Sequence, residues 1–242
     1  MAEAVASPHT EESEHTTTGL NHRKLLMWAF LGSDCMFFGS LIGTYLVSKG
    51  RSLVGPYAVD VFDIPVTSVS TFVLLMSSMS MVLAYAALTR GSLRGFRIWI
   101  ASTAIMGMTF LSFQVFEFYE FANHEVHFKC STPISDLTEH ERTFINKCAG
   151  QDPSYEVHEQ HGLTPRTNLF GTTFFTLTGF HGAHVTLGVV WLLSLLFYSF
   201  RGGVTPKRNL DVDLAALYWH FVDVVWIVIF TVVYLFGVFP GF

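Results

Sequence analysis

The run Leu214–Phe239, LAALYWHFVDVVWIVIFTVVYLFGVF, decides the fold. As a helix it is long enough to cross a bilayer core, which takes roughly 20 residues. It nevertheless carries His220 and Asp223, three residues apart. Ionisable groups in lipid are costly, so these two need partners or a function.

Outward from this run the chain repeats the pattern. Half the residues are apolar, 14% are charged and 24 are Phe. A soluble domain carries about a quarter charged residues, so this is a membrane composition. Five apolar stretches occur, at about 25–47, 66–88, 98–122, 169–200 and 214–239. Backbone polar groups in lipid must pair within their own segment, so these stretches predict helices. Period-2 alternation is absent from them, which argues against a barrel. The expected fold is an all-α, multi-pass transmembrane bundle of five spans. It comprises a polar tail over 1–21, expected to be disordered, and a membrane domain over 22–242 with a long outer loop over 123–167. The first twenty residues are polar and do not read as a secretory signal.

The charges suggest an orientation. Arg23 and Lys24 precede the first span, Arg90, Arg94 and Arg97 lie around the second turn, and Arg201, Lys207 and Arg208 follow the fourth span. These segments share one side, and the positive-inside rule makes it cytoplasmic, with the C-terminus outside. Lys49 and Arg51 vote the other way. A net charge of −5 and no basic face make nucleic acid an unsuitable partner.

Three cysteines are too few for a disulfide scaffold. Cys130 and Cys148 share the outer loop and would be a possible disulfide in an oxidising compartment. Free thiols are the alternative. His124, His127 and Cys130 lie close in sequence but match no usual zinc spacing. Cys35 reads as a buried apolar residue, and Gly39 and Gly43 are spaced for close helix contact.

Ionisable residues inside the spans are the candidate site. Asp34 stands about nine residues into the first span, about 14 Å at 1.5 Å per residue. Gln114, Glu117 and Glu120 lie near the end of the third span. His181 and His184 are in the middle of the fourth, with Gly188 and Trp191 on the expected stripe. His220 and Asp223 are in the fifth, His220 only a turn or two from its start. Spacings of three or four place such residues on one helix face. The inward stripes are expected to meet, with His184 against Glu117, and with His220 and Asp223 reaching Glu117 or His184. Interhelical ties of this kind are worth about 0.6–2 kcal/mol each. Three chemistries fit the residues: haem held by His184 and His220, a proton path using Asp34 and Glu117, or none, in a chain that stabilises a partner.

Four stretches taken in order carry a resemblance: WAFLGSDCMFFGSLIGTYL (28–46), FQVFEFYEF (113–121), TGFHGAHVTLGVVW (178–191) and YWHFVDVVWIVIF (218–230). Together they resemble subunit III of the haem–copper terminal oxidases, in the five-helix bacterial form. The resemblance implies a non-catalytic subunit in a bacterial inner membrane. Such a subunit has no cofactor of its own and does not carry the active site. It implies partners in subunits I and II, which hold the haem and copper, and tightly bound phospholipid. It also implies support of sustained proton uptake, with cytochrome c or a quinol as donor to the complex. Where the family commonly has glutamate this chain has Asp34, which keeps the acid and loses one methylene of reach. Glu117, His184, His220 and Asp223 are then intramembrane polar residues of structural or proton-uptake support. Arg201 is a candidate for a lipid phosphate, since guanidinium suits that geometry. Outside the resemblance stand a haem-binding electron carrier using His184 and His220 and a proton-coupled transporter using Asp34.

Overall fold

The computed structural model describes residues 21–49, 62, 64–123, 125–137, 139–160, 162–166, 169–205 and 209–238. Of the expected N-terminal tail, residues 1–20 lie outside them, as do His124, Arg51, Lys207 and Arg208. The elements are α1 (His22–Ser48), α2 (Ile64–Thr89), α3 (Leu93–Ala122), β1 (Glu125–Lys129), a short α4 (Glu139–Arg142), β2 (Glu156–Gln160), α5 (Leu169–Phe200) and α6 (Leu210–Ile229). A π-helical segment, Phe230–Leu235, extends α6 and ends in one further helical turn at Phe236–Val238. Five helices, with α6 counted through Leu235, are long and apolar enough to cross a membrane. At 32 residues α5 is the longest, about 48 Å by helix rise, and so must tilt or emerge from a 30 Å core.

Local chemistry sets the ends of the helices. The Asn21 side chain caps α1 by accepting from Arg23 N at 2.9 Å. Between α2 and α3 the chain turns within a few residues. Gly91 takes φ +82°, and Ser92 N reaches back to Ala87 O at 2.9 Å, closing α2 as a Schellman motif. The Ser92 hydroxyl then accepts from Gly95 N at 3.3 Å and caps α3. A tight antiparallel pair follows from these two caps.

Helix α6 is the hub. Eleven of its twenty residues are buried, and it packs on α1, α2 and α5. Helix α2 also lies along α3, and α3 along α5. Trp219 and Trp226 fill the centre. A Cβ added at Gly107 of α3 would lie 2.6 Å from Trp219, and one at Gly188 of α5 would lie 2.9 Å from it. These two glycines are therefore the seats of the indole. The indole N–H groups donate to α2, Trp219 to Ser77 Oγ at 2.9 Å and Trp226 to Thr71 Oγ1 at 3.0 Å. Buried Trp requires such an acceptor.

Helix α1 is peripheral. Its buried residues are Met27, Leu31, Phe38 and Tyr45, a single narrow stripe laid on α5 and α6. At one end Arg23 meets Asp211 at 3.2 Å and Lys24 meets Asp213 at 2.8 Å. At the other, Lys49 Nζ donates to Phe236 O at 2.6 Å. Two sequence expectations fail on this helix. Cys35 is exposed, and nothing lies within 4 Å of a Cβ built at Gly39 or Gly43. The small size of these two glycines therefore serves no contact among the described residues.

The loop between α3 and α5 folds on itself. Strands β1 and β2 pair antiparallel with His127 opposite His158 and Phe128 opposite Val157. Phe128, Val157 and Leu137 form a small separate core, with Phe144, Ile145 and the cysteines around it. Cys130 and Cys148 are joined in a disulfide, with Cα atoms 5.4 Å apart. Leu163 N then bonds Phe121 O at 2.7 Å and returns the chain to the end of α3.

Candidate functional site

The polar side chains inside the bundle form separate clusters, each joining two or three helices. On the α1 side, His184 Nδ1 donates to Phe180 O at 2.7 Å, because a carbonyl can only accept. Its Nε2 is left facing Asp34 Oδ2 at 3.4 Å. That separation allows an electrostatic contact, while Asp34 Oδ2 makes no hydrogen bond among the described residues. Tyr218 of α6 closes the cluster by donating to His184 O at 3.0 Å, and the Phe38 ring packs 5.0 Å from the imidazole. Asp34 therefore has the partner that sequence spacing assigned to Glu117.

Glu117 instead sits where α2, α3 and the π segment meet. Thr67 Oγ1 donates to Oε1, and the Tyr234 hydroxyl donates to Oε2 at 3.3 Å. The π segment matters here, since Tyr234 belongs to it. π turns recur at functional positions in helices.

The third cluster involves α2 and α6. Ser78 Oγ donates to Asp223 Oδ2. Its one hydrogen is then used, so His220 Nδ1 donates to Ser78 Oγ at 3.1 Å. His220 and Asp223 thus meet a serine of the second span and reach neither Glu117 nor His184. Helix α6 starts at Leu210, so His220 lies ten residues from its first residue, about 15 Å along the helix.

His181 and His184 do not share a stripe. His181 is fully buried, faces α6 and α3, and donates from Nε2 to Val222 O at 3.2 Å. Its ring lies 4.7 Å from Trp226. Gln114 Nε2 donates to Thr178 O at 2.8 Å, while Gln114 Oε1 and His181 Nδ1 are buried without a partner among the described residues.

Sequence reasoning passed over α2, which has no charged residue in its core. Its hydroxyls proved to be the partners. Thr67, Ser70, Thr71, Ser77, Ser78 and Ser80 recur at helical spacing, and the stripe was readable as a row of donors. The charge pattern sets Arg97 at the turn between the second and third spans. It lies within α3 and donates to Ser199 Oγ at 2.9 Å and Ser199 O at 2.7 Å. Arg201 is exposed just past α5, its guanidinium 4.5 Å from the centroid of the Phe197 ring. The suggested metal set of His124, His127 and Cys130 is not available as such, because Cys130 is bonded to Cys148.

Fold and site together define a multi-pass membrane protein whose buried acids and histidines are engaged between its own helices. Residues 154–238 match the family described as cytochrome c oxidase subunit III. The chain is 33% identical over 234 residues to cytochrome c oxidase subunit 3 of Bacillus sp. strain PS3, covering 97% of this chain and 95% of that protein. It is 34% identical over 210 residues to quinol oxidase subunit 3 of Bacillus subtilis strain 168, covering 87% and 85%. It is 31% identical over 211 residues to cytochrome bo(3) ubiquinol oxidase subunit 3 of Pseudomonas putida, covering 87% and 84%. The chain belongs to the subunit III family of the respiratory terminal oxidases.

Proposed function

We propose that this chain is the auxiliary, non-catalytic subunit III of a proton-pumping haem–copper terminal oxidase in a bacterial inner membrane. In this reading it packs on subunit I, which with subunit II holds the haem and copper. It retains phospholipid and sustains proton uptake by the complex. The supporting observation is how the intramembrane polar groups are used. Asp34, Glu117, His184, His220 and Asp223 are engaged with side chains and carbonyls of this same chain. Such pairing suits a scaffold, and it gives His184 and His220 different neighbours. His184 faces α1, whereas His220 faces α2, so the two imidazoles do not converge on one haem. Arg201, exposed beside an aromatic ring at the end of α5, is the proposed contact for a lipid phosphate.

The test is a reduced-minus-oxidised spectrum of the chain, carrying an affinity tag, purified gently and again after removal of its partners. Haem bands in the gentle preparation that vanish on stripping are expected. Haem retained stoichiometrically by the stripped chain would overturn the reading in favour of an electron carrier. The electron donor is decided on the gentle preparation, by comparing its oxidation of cytochrome c and of quinol.

A further inference from the structure

The strand pair outside the bundle carries a second cluster that the bundle chemistry does not use. In the β1–β2 register His127 stands opposite His158. Their Nδ1 atoms are 2.6 Å apart. The other nitrogen of each ring faces a carboxylate, His127 Nε2 to Glu125 Oε2 at 3.1 Å and His158 Nε2 to Glu156 Oε2 at 3.3 Å. Carboxylates accept, so they hold the imidazole protons at Nε2. With the protons at Nε2, both Nδ1 atoms present lone pairs to each other, an arrangement that a proton or a metal ion between them satisfies.

We propose that His127 and His158 form a binding site for a divalent transition metal of the Zn²⁺ or Cu²⁺ class. Imidazole nitrogen suits these ions. Two nitrogens bound to one tetrahedral ion at about 2.0–2.1 Å stand about 3.3 Å apart. The rings therefore need to open by less than about 1 Å, which exposed side chains do by small rotations. Glu125 and Glu156 act behind the rings, fixing the tautomer and the ring orientation. No set of three His, Cys, Asp or Glu side chains among the described residues surrounds one point, so water completes the coordination. A cavity of about 520 Å³ beside the pair, lined in part by Lys129, Asp136, Glu156 and both histidines, has room for it. The platform is firm, since the opposite face of the strands buries Phe128 and Val157 and the disulfide closes the loop.

The experiment is a Zn²⁺ titration of the full chain in detergent at pH 7.5, against a chromophoric chelator, with a tag that contains no histidine. His127→Ala, His158→Ala and, at the far end of the bundle, His22→Ala are compared with the parent. One site of micromolar affinity is expected. It weakens at least tenfold in each of the first two variants and is unchanged in His22→Ala. Cu²⁺ bound in place of Zn²⁺ should show two coupled nitrogens by electron paramagnetic resonance, lost in both variants. Unchanged thermal unfolding shows that the variants are folded. Binding indifferent to both substitutions would overturn the proposal. So would the absence of Zn²⁺ binding, since a shared proton would then suffice for the histidine pair.

Discussion

At the scale of the residue, lipid changes what a polar side chain is worth. Lipid cannot satisfy it, so a buried acid or imidazole depends on donors and acceptors of the protein itself. The partners found are mostly hydroxyls and carbonyls: Thr67 for Glu117, Ser78 for Asp223 and His220, and Val222 O for His181. Asp34 differs, because it faces the imidazole of His184. We propose that this pair is the part of the chain that serves proton uptake. Asp34→Asn removes the acid and keeps the shape. It should leave assembly with the partner subunits intact and shorten the active lifetime of the oxidase during continuous turnover several-fold. Equal lifetimes for the assembled mutant and parent, read from oxygen consumption over many turnovers, would reduce Asp34 to packing.

At the scale of the element, the two parts of the chain are held by different forces. In lipid, apolar burial between helices gains little over contact with acyl chains, so close packing and hydrogen bonds hold the bundle. The fit of Trp219 against Gly107 and Gly188 is packing of this kind. The hairpin stands outside that environment, with a core of three buried side chains among the described residues. It depends on the Cys130–Cys148 bond, which spans 18 residues and contributes about 3 kcal/mol in the chain-entropy model. Cys130→Ser with Cys148→Ser should raise amide hydrogen exchange across 125–160 and leave protection of the five spans unchanged. Exchange that rises equally in the helices would show that loop and bundle unfold as one unit.

For the whole molecule, the alternation of five spans places the hairpin, Lys49 and the end of α6 on one side. The end of α2, the start of α3, the end of α5 and the start of α6 lie with Asn21 on the other. We propose that the second side is cytoplasmic, because it carries Arg23, Lys24, Arg90, Arg94 and Arg201 near the span ends. A periplasmic alkaline phosphatase reporter fused after Phe242 should be active, and one inserted at Gly91 should be silent. The reverse pattern would invert the topology. An outer hairpin is also consistent with its disulfide, which needs an oxidising compartment to form.

Sequence alone determined the number, type and approximate bounds of the spans. Length and hydropathy decide these through the solvent, residue by residue, before any helix meets another. It also supplied the short list of intramembrane acids and histidines, because any such residue in lipid stands out. Only the tertiary structure decided who pairs with whom. Helical spacing says which residues share a face of one helix, but says nothing of how far a neighbour is rotated or shifted along its axis. On α5 His181 and His184 stand about 60° apart, and the placement of α6 and α1 around that helix gives each a different partner. The loop followed the same rule in water. Its cysteines were legible, but the opposition of His127 and His158 came from a strand register that only the closed hairpin creates.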